Sequence, residues 1–146
     1  MEVYTIGFTQ TDAARFFGRL KTAGIRRLLD VRLNNTSQLA GWAKRADLPY
    51  FLHELAGAEY VHEPRFAPTQ TLLDAYKKNG GDWSAYERDF LALLDERNVA
   101  ETVPQSLLFE MPTVLLCSKA TAEHCHRRLV LEYLQPRWQK FSVVHL

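Results

Sequence analysis

Short apolar runs alternate with amphipathic stretches along the chain, and their two periods divide it into strands and helices. Residues 3–6 (VYTI) predict a buried strand that stops at Gly7. Thr11 or Asp12 can cap a helix running to Ala23, with Phe16, Phe17 and Leu20 on its apolar face and Gly24 as its stop. Residues 25–31 predict a second strand, and the near-continuous run of Leu28, Leu29 and Val31 suits one covered on both faces. Asp47 followed by Leu48-Pro49 opens a helix that closes at Gly57, and a short third strand covers 59–62. Thr69 caps a helix through Lys78, which Gly80-Gly81 breaks. Residues 82–98 carry Trp83, Tyr86, Phe90, Leu93 and Leu94 at three- and four-residue steps, the clearest helical pattern in the chain. A short helix is expected around 106–109 and a strand over 113–117. A helix follows over 122–134, stopped by Pro136, and then a final strand over 141–146.

A strand, a helix and a strand with short joints make a βαβ unit with a right-handed crossover. The alternation predicts an α/β fold: a single three-layer domain, with a mostly parallel sheet of about five strands and helices on both faces. A chain of 146 residues is long enough for one core without staples, and 1–146 is read as one domain. Hydrophobic content of 47% and charged content of 24% are those of an ordinary soluble globular protein. A net charge of +1 gives no global field that would draw in nucleic acid or an acidic membrane, although Arg26, Arg27 and Arg32, and Arg127 and Arg128, cluster locally. Two cysteines make no disulfide scaffold and fit a reducing compartment. No basic segment precedes a long apolar run at the amino end, and no stretch approaches the roughly 20 apolar residues that span a bilayer. The expectation is a cytoplasmic protein without membrane association.

In open parallel sheets ligands bind beyond the carboxyl ends of the strands. The first strand delivers Gly7 and Thr9 to that edge. The second delivers Asp30, Arg32 and the loop with Asn35 and Ser37, the third His62, and the fourth Cys117 and Ser118. The helix expected from Thr121 brings His126 and Arg127 to the same edge. A thiol at a strand end beside a helix amino end is placed for thiolate stabilisation, and an inert core thiol is the plainer alternative. Asp30 suits a general base or ligand-orienting group, or a partner for Arg32. Arg32 and Arg127 suit an anion, and Asn35 and Ser37 suit substrate orientation. Cys125, on one expected helix face with Ala122, Leu129 and Tyr133, is read as packing, and His124 as exposed and uninvolved. Gly7, Asp30, Arg32, His62, Cys117 and His126 are expected to line one cleft. Cys117, Cys125 and His126 have ligand chemistry for zinc, but a structural site wants a fourth ligand that only His62 or Asp30 could give, so no metal is assigned. A cysteine phosphatase loop is a weak match because Glu123 stands where its arginine belongs, and no glycine-rich phosphate loop is present.

The segments YTIGFTQ, RLLDVRLNNTSQLAGW, YVHEP and LLCSKATAEHCHRRLV together resemble the bacterial and archaeal family known as domain of unknown function 488. The resemblance runs through the whole chain. It is closest to the subgroup with an LNNTSQLAGF-type loop, with Trp42 in place of the usual Phe. The family's motif residues fall on Gly7, Asp30, Arg32, Cys117, Cys125, His126 and Arg127, and its usual acidic residue two after the first cysteine is Lys119 here. The resemblance implies a compact α/β fold of about five strands and carries no settled activity.

The leading expectation is a small enzyme acting on an anionic substrate that bears phosphate or resembles a nucleotide or nucleic-acid end. Asp30, Cys117 and His126 would be its catalytic groups. Gly7, Thr9, Arg32, Asn35, Ser37, His62, Ser118 and Arg127 would bind substrate, with no cofactor. The alternatives are a non-catalytic anion- or partner-binding module, and a thiol-based protein of sulfurtransferase-like or redox-sensing type.

Overall fold

Three largely buried runs form the inner strands and two half-exposed runs form the sheet's edges, and the segments between them carry the amphipathic periods that cover its faces. The structure is a computed structural model and describes residues 1–36, 40–119 and 122–146. In chain order the elements are β1 (Glu2–Gly7), α1 (Ala13–Thr22), β2 (Arg27–Asp30), α2 (Leu48–Ala56) and β3 (Glu59–His62). They continue with α3 (Gln70–Lys78), α4 (Trp83–Glu96), α5 (Val99–Thr102), α6 (Ser106–Phe109), β4 (Thr113–Cys117), α7 (His126–Leu134) and β5 (Ser142–His145). The five strands form one sheet in the order β3-β2-β4-β1-β5, and every pairing is parallel.

Local chemistry accounts for the helix ends. Asp12 accepts from the Arg15 N–H at 2.8 Å to open α1. Thr69 caps α3 and Asp82 caps α4 in the same way. Gly57, in the left-handed region at φ +62°, closes α2.

The pleat sends alternate residues to opposite faces. Leu28, Val114 and Leu116 pack with Phe16, Phe17, Leu20, Leu48 and Leu52 of α1 and α2. Leu29, Leu115 and Cys117 pack with Phe90 and Leu94 of α4 and with Leu129 and Leu134 of α7. The domain is therefore three layers deep, as the alternation of elements predicts.

The chain order reverses at β4, which enters between β1 and β2 after the chain has run out to β3. That reversal is where a parallel sheet opens a crevice at its carboxyl edge. Register places Gly7 opposite Cys117 and Asp30 opposite both Leu116 and His62, so the expected strand-end residues do share one edge. They do not all share one face. Cys117 follows the parity of Leu115 toward α4 and α7, and Asp30 follows that of Leu28 toward α1 and α2.

One expected element is shorter than its pattern. The helix predicted over 122–134 begins at His126, because Cys125 is extended at φ −138° and ψ 138°. Thr121, expected to open it, lies outside the described residues. Among the described residues, no helix is long and apolar enough to cross a membrane.

Candidate active site

The turn from β4 to α7 builds the centre of the site. Cys117 ends β4 with its side chain on the α4/α7 face, Cys125 sits at the N-cap of α7, and His126 is its first residue. All three are buried. His126 Nε2 lies 2.6 Å from the Val31 carbonyl, which only accepts, so Nε2 carries hydrogen. Nδ1 then faces Cys117 Sγ at 3.5 Å, to accept from a thiol or, once protonated, to donate to a thiolate.

Charge decides between those forms. Burial alone would raise the Cys117 thiol. The Cys125 thiol, the charge and hydrogen bond of His126 and the Lys119 backbone N–H outweigh it and hold Cys117 well below the ordinary thiol range. Burial would likewise lower His126, but the Cys117 charge and hydrogen bond raise it. Burial and the neighbouring Cys117 charge push Cys125 well above the ordinary thiol value. These shifts favour a thiolate at Cys117 and an imidazolium at His126, with Cys125 as the thiol that donates to the pair.

The pair opens on a cavity of about 230 Å³, lined by Cys117, Cys125, His126, Ser118, Lys119, Arg32, Leu33, Asn34, Pro68, Leu73, Tyr76, Trp83, Tyr86 and His124. Its far wall is aromatic. Trp83 stacks on Tyr86 at 5.1 Å between ring centres and on His124 at 5.0 Å. The Lys119 ammonium stands 6.0 Å over the Tyr76 ring.

Of the residues expected to touch substrate, Arg32, Ser118, Cys117 and His126 line this cavity, and the other described ones do not. Asp30 is fully buried on the other side of the sheet, its two oxygens each 2.8 Å from Arg32 Nε and Nη2. Arg32 Nη2 also donates to the Ala43 carbonyl, and Nη1 has no partner among the described residues. Asn35 donates to Asp30 and to the Tyr60 hydroxyl, Tyr60 donates to Asp30, and His62 Nε2 lies 3.2 Å from the Arg32 carbonyl. These groups fix Arg32.

Arg127 is completely buried, and its Nη1 donates to the Lys119 carbonyl at 2.6 Å. It therefore braces the turn that carries the thiolate. Thr9 is exposed and reaches the turn through its backbone, its N–H donating to the Ser118 carbonyl at 3.1 Å. Gly7 completes the brace: a Cβ there would stand 1.6 Å from the Lys119 carbonyl oxygen and 2.8 Å from Arg127 Nη1. Ser37 lies outside the described residues. Gly7→Ala should accordingly force the 117–119 turn out of place. We expect a loss of about 1–3 kcal/mol from overpacking, read as a lower urea midpoint at unchanged slope; a midpoint equal to the parent's would remove Gly7 from this role.

Two readings of single residues change. Cys125 shares the buried core cluster of Leu129 and Tyr133, as expected, but as the extended N-cap of α7 rather than from within the helix, and its sulfur also meets Cys117. His124 is exposed, as expected, yet it forms part of the cavity wall through its stack on Trp83. Tyr76, Trp83 and Tyr86 were not singled out as site residues. The signal for Trp83 and Tyr86 is the surplus of aromatics at the amino end of α4, beyond what the Phe90 and Leu94 core positions use; Tyr76, on α3, has no such signal.

A parallel three-layer α/β domain with a buried cysteine–histidine pair at its sheet reversal is the class these features define. Within it, the chain belongs to the family described as domain of unknown function DUF488, which it matches over residues 12–134. No curated protein and no solved structure shows a significant match to the chain.

Proposed function

We propose that the chain is a thiol-dependent enzyme in which Cys117 attacks an electrophilic centre of a small, oxyanion-bearing substrate held in the aromatic cavity. The observation that carries this reading is the 3.5 Å approach of Cys117 Sγ to His126 Nδ1 at the cavity wall. A module that only bound anions would have no use for an activated thiolate, and nucleophilic catalysis needs a pair of this kind. As the sulfur forms its bond, the bond to the leaving group breaks, and His126 gives its Nδ1 proton to that group. The neutral imidazole is then placed to draw a proton from the water that releases the covalent intermediate.

The Lys119 ammonium is the cation placed to meet the substrate's carboxylate or phosphate, and Tyr76, Trp83 and Tyr86 receive its apolar part. Size favours a small substrate. The cavity of about 230 Å³ falls below the roughly 300–1,000 Å³ common for ligand pockets, which suits a single ring with its oxyanion better than a nucleotide. The contact between the Cys125 thiol and Cys117 supports redox sensing as a second reading. A Cys117–Cys125 disulfide formed with peroxide would be read as the loss of both thiols in intact-mass and free-thiol assays.

The test is competitive labelling of the reduced, chelator-treated protein with iodoacetamide near neutral pH. Peptide mass spectrometry should find Cys117 modified well before Cys125, and phenyl phosphate or benzoate should slow the modification. Preferential labelling of Cys125, or two inert thiols, would overturn the assignment of Cys117 as nucleophile.

A further inference from the structure

We infer that Cys117, Cys125 and His126 form a binding site for a borderline-soft divalent cation of the zinc class, with a fourth coordination position open to the cavity. One ligand atom from each of the three residues lies within 4.8 Å of the other two. His126 presents Nδ1 to the sulfurs, since Nε2 is taken by the Val31 carbonyl. A tetrahedral zinc ion, with bonds of about 2.3 Å to sulfur and about 2.0–2.1 Å to nitrogen, spaces those two donors about 3.5 Å apart. The Cys117 Sγ to His126 Nδ1 separation is 3.5 Å.

The surroundings of the three donors fit the same role. A metal-binding histidine usually fixes its ring by donating the other N–H to a carbonyl or carboxylate, as His126 does to Val31. The backbone N–H of Lys119 meets the Cys117 sulfur and that of Arg127 meets the Cys125 sulfur, and both stabilise thiolate charge. Two sulfurs and an imidazole select zinc-like ions over magnesium or calcium, which take oxygen ligands.

The sequence pattern set metal aside for want of a fourth protein ligand, with His62 and Asp30 as the only candidates. His62 is engaged with the Arg32 carbonyl, and Asp30 is enclosed by Arg32, Tyr60 and Asn35. The fourth position would open toward the cavity instead, whose wall includes all three residues. Three protein ligands and one open place are the arrangement of reactive rather than purely structural zinc sites.

This site shares Cys117 with the proposed nucleophile. A bound ion and an electrophile would compete for the same sulfur lone pair, so the ion would hold the thiolate in reserve.

Cobalt(II) tests the inference directly on the full chain, reduced and stripped with chelator. Thiolate-to-cobalt charge-transfer bands and tetrahedral d–d bands should grow to saturation at one equivalent per chain, and zinc should displace them. Cys117→Ser and Cys125→Ser, each checked for folding by circular dichroism, should each weaken binding by more than the ten- to hundred-fold that loss of an outer-shell partner costs. Zinc should also protect Cys117 and Cys125 from iodoacetamide, reversibly on adding chelator. Where a serine variant does not fold, that protection in the unsubstituted chain decides. Absence of the bands, bands that survive both substitutions, or unprotected thiols would overturn the site. The two proposals fail separately: an inert Cys117 with an intact cobalt spectrum sinks the nucleophile, and a reactive Cys117 with no cobalt spectrum sinks the metal site.

Discussion

In the His126→Gln chain, iodoacetamide labelling of Cys117 near neutral pH should slow by about tenfold, measured on reduced, chelator-treated protein by peptide mass spectrometry. Glutamine keeps an amide that can still donate to the Val31 carbonyl, so the ring's packing and its outer hydrogen bond are partly preserved. What it cannot carry is the positive charge that the raised His126 favours, against the sulfur at 3.5 Å. The Cys125 thiol and the Lys119 N–H still favour the thiolate, which is why the loss is partial. A second effect limits it further. Each unit by which a thiol's pKa rises above ambient pH costs tenfold in thiolate but returns about threefold in nucleophilicity, since the Brønsted slope is about 0.4–0.5. A labelling rate within twofold of the parent's would show that the imidazole does not activate Cys117. A rate equal to that of the unfolded chain, with circular dichroism unchanged, would mean that His126 supplies all of the activation.

The layers and the edge that carries the site were legible because they follow from short-range pattern. Apolar runs of four or five residues separated by capped amphipathic stretches leave few alternatives to a parallel three-layer sheet. The strand-end rule then brought Gly7, Asp30, His62 and Cys117 to one edge, and their register agrees. The rule is blind to faces. Asp30 and Cys117 end neighbouring strands but differ in pleat parity, so one points toward α1 and α2 and the other toward α4 and α7. Counting parity from Leu28 and Leu115 would have separated them. From sequence Arg127 suits an anion, since a cation at a helix amino end needs a partner. The partner is a backbone carbonyl, that of Lys119, which no spacing in the sequence announces. Cys125 was misplaced because periodicity cannot mark where a helix starts when the residues before it also carry apolar side chains. The aromatic wall was hidden for a similar cause: Trp83 and Tyr86 satisfy the helical period, and only the tertiary placement of His124 and Tyr76 shows that they face a cavity.

Asp30→Asn should cost about 3–5 kcal/mol at pH 7, a large part of the 5–15 kcal/mol that holds a domain of this size together. The substitution keeps shape and removes the countercharge of Arg32, which is 3% exposed and cannot turn to water. Nor can the amide find a compatible orientation. One Asp30 oxygen accepts from the Arg32 backbone N–H and from its Nε, and the other from Arg32 Nη2, Tyr60 and Asn35. Whichever position becomes NH2 faces an N–H donor of Arg32, so a buried charge and its neighbouring donors lose their partners together. The pH dependence should change as well. Burial would raise the Asp30 carboxyl, but Arg32 and Tyr60 outweigh it and hold it below its ordinary value. In acid the unfolded chain therefore takes up a proton at this residue before the folded one does. Its stabilisation is complete above the ordinary carboxylate value of about 3.9 and is lost as pH falls through the lower folded value. The asparagine chain should lack that acid-side decline and lie closer to the parent at pH 3 than at pH 7. Urea unfolding at the two pH values measures both effects. A difference at pH 7 below about 1 kcal/mol, or a gap that widens in acid, would mean that the Asp30–Arg32 pair does not anchor the floor of the site.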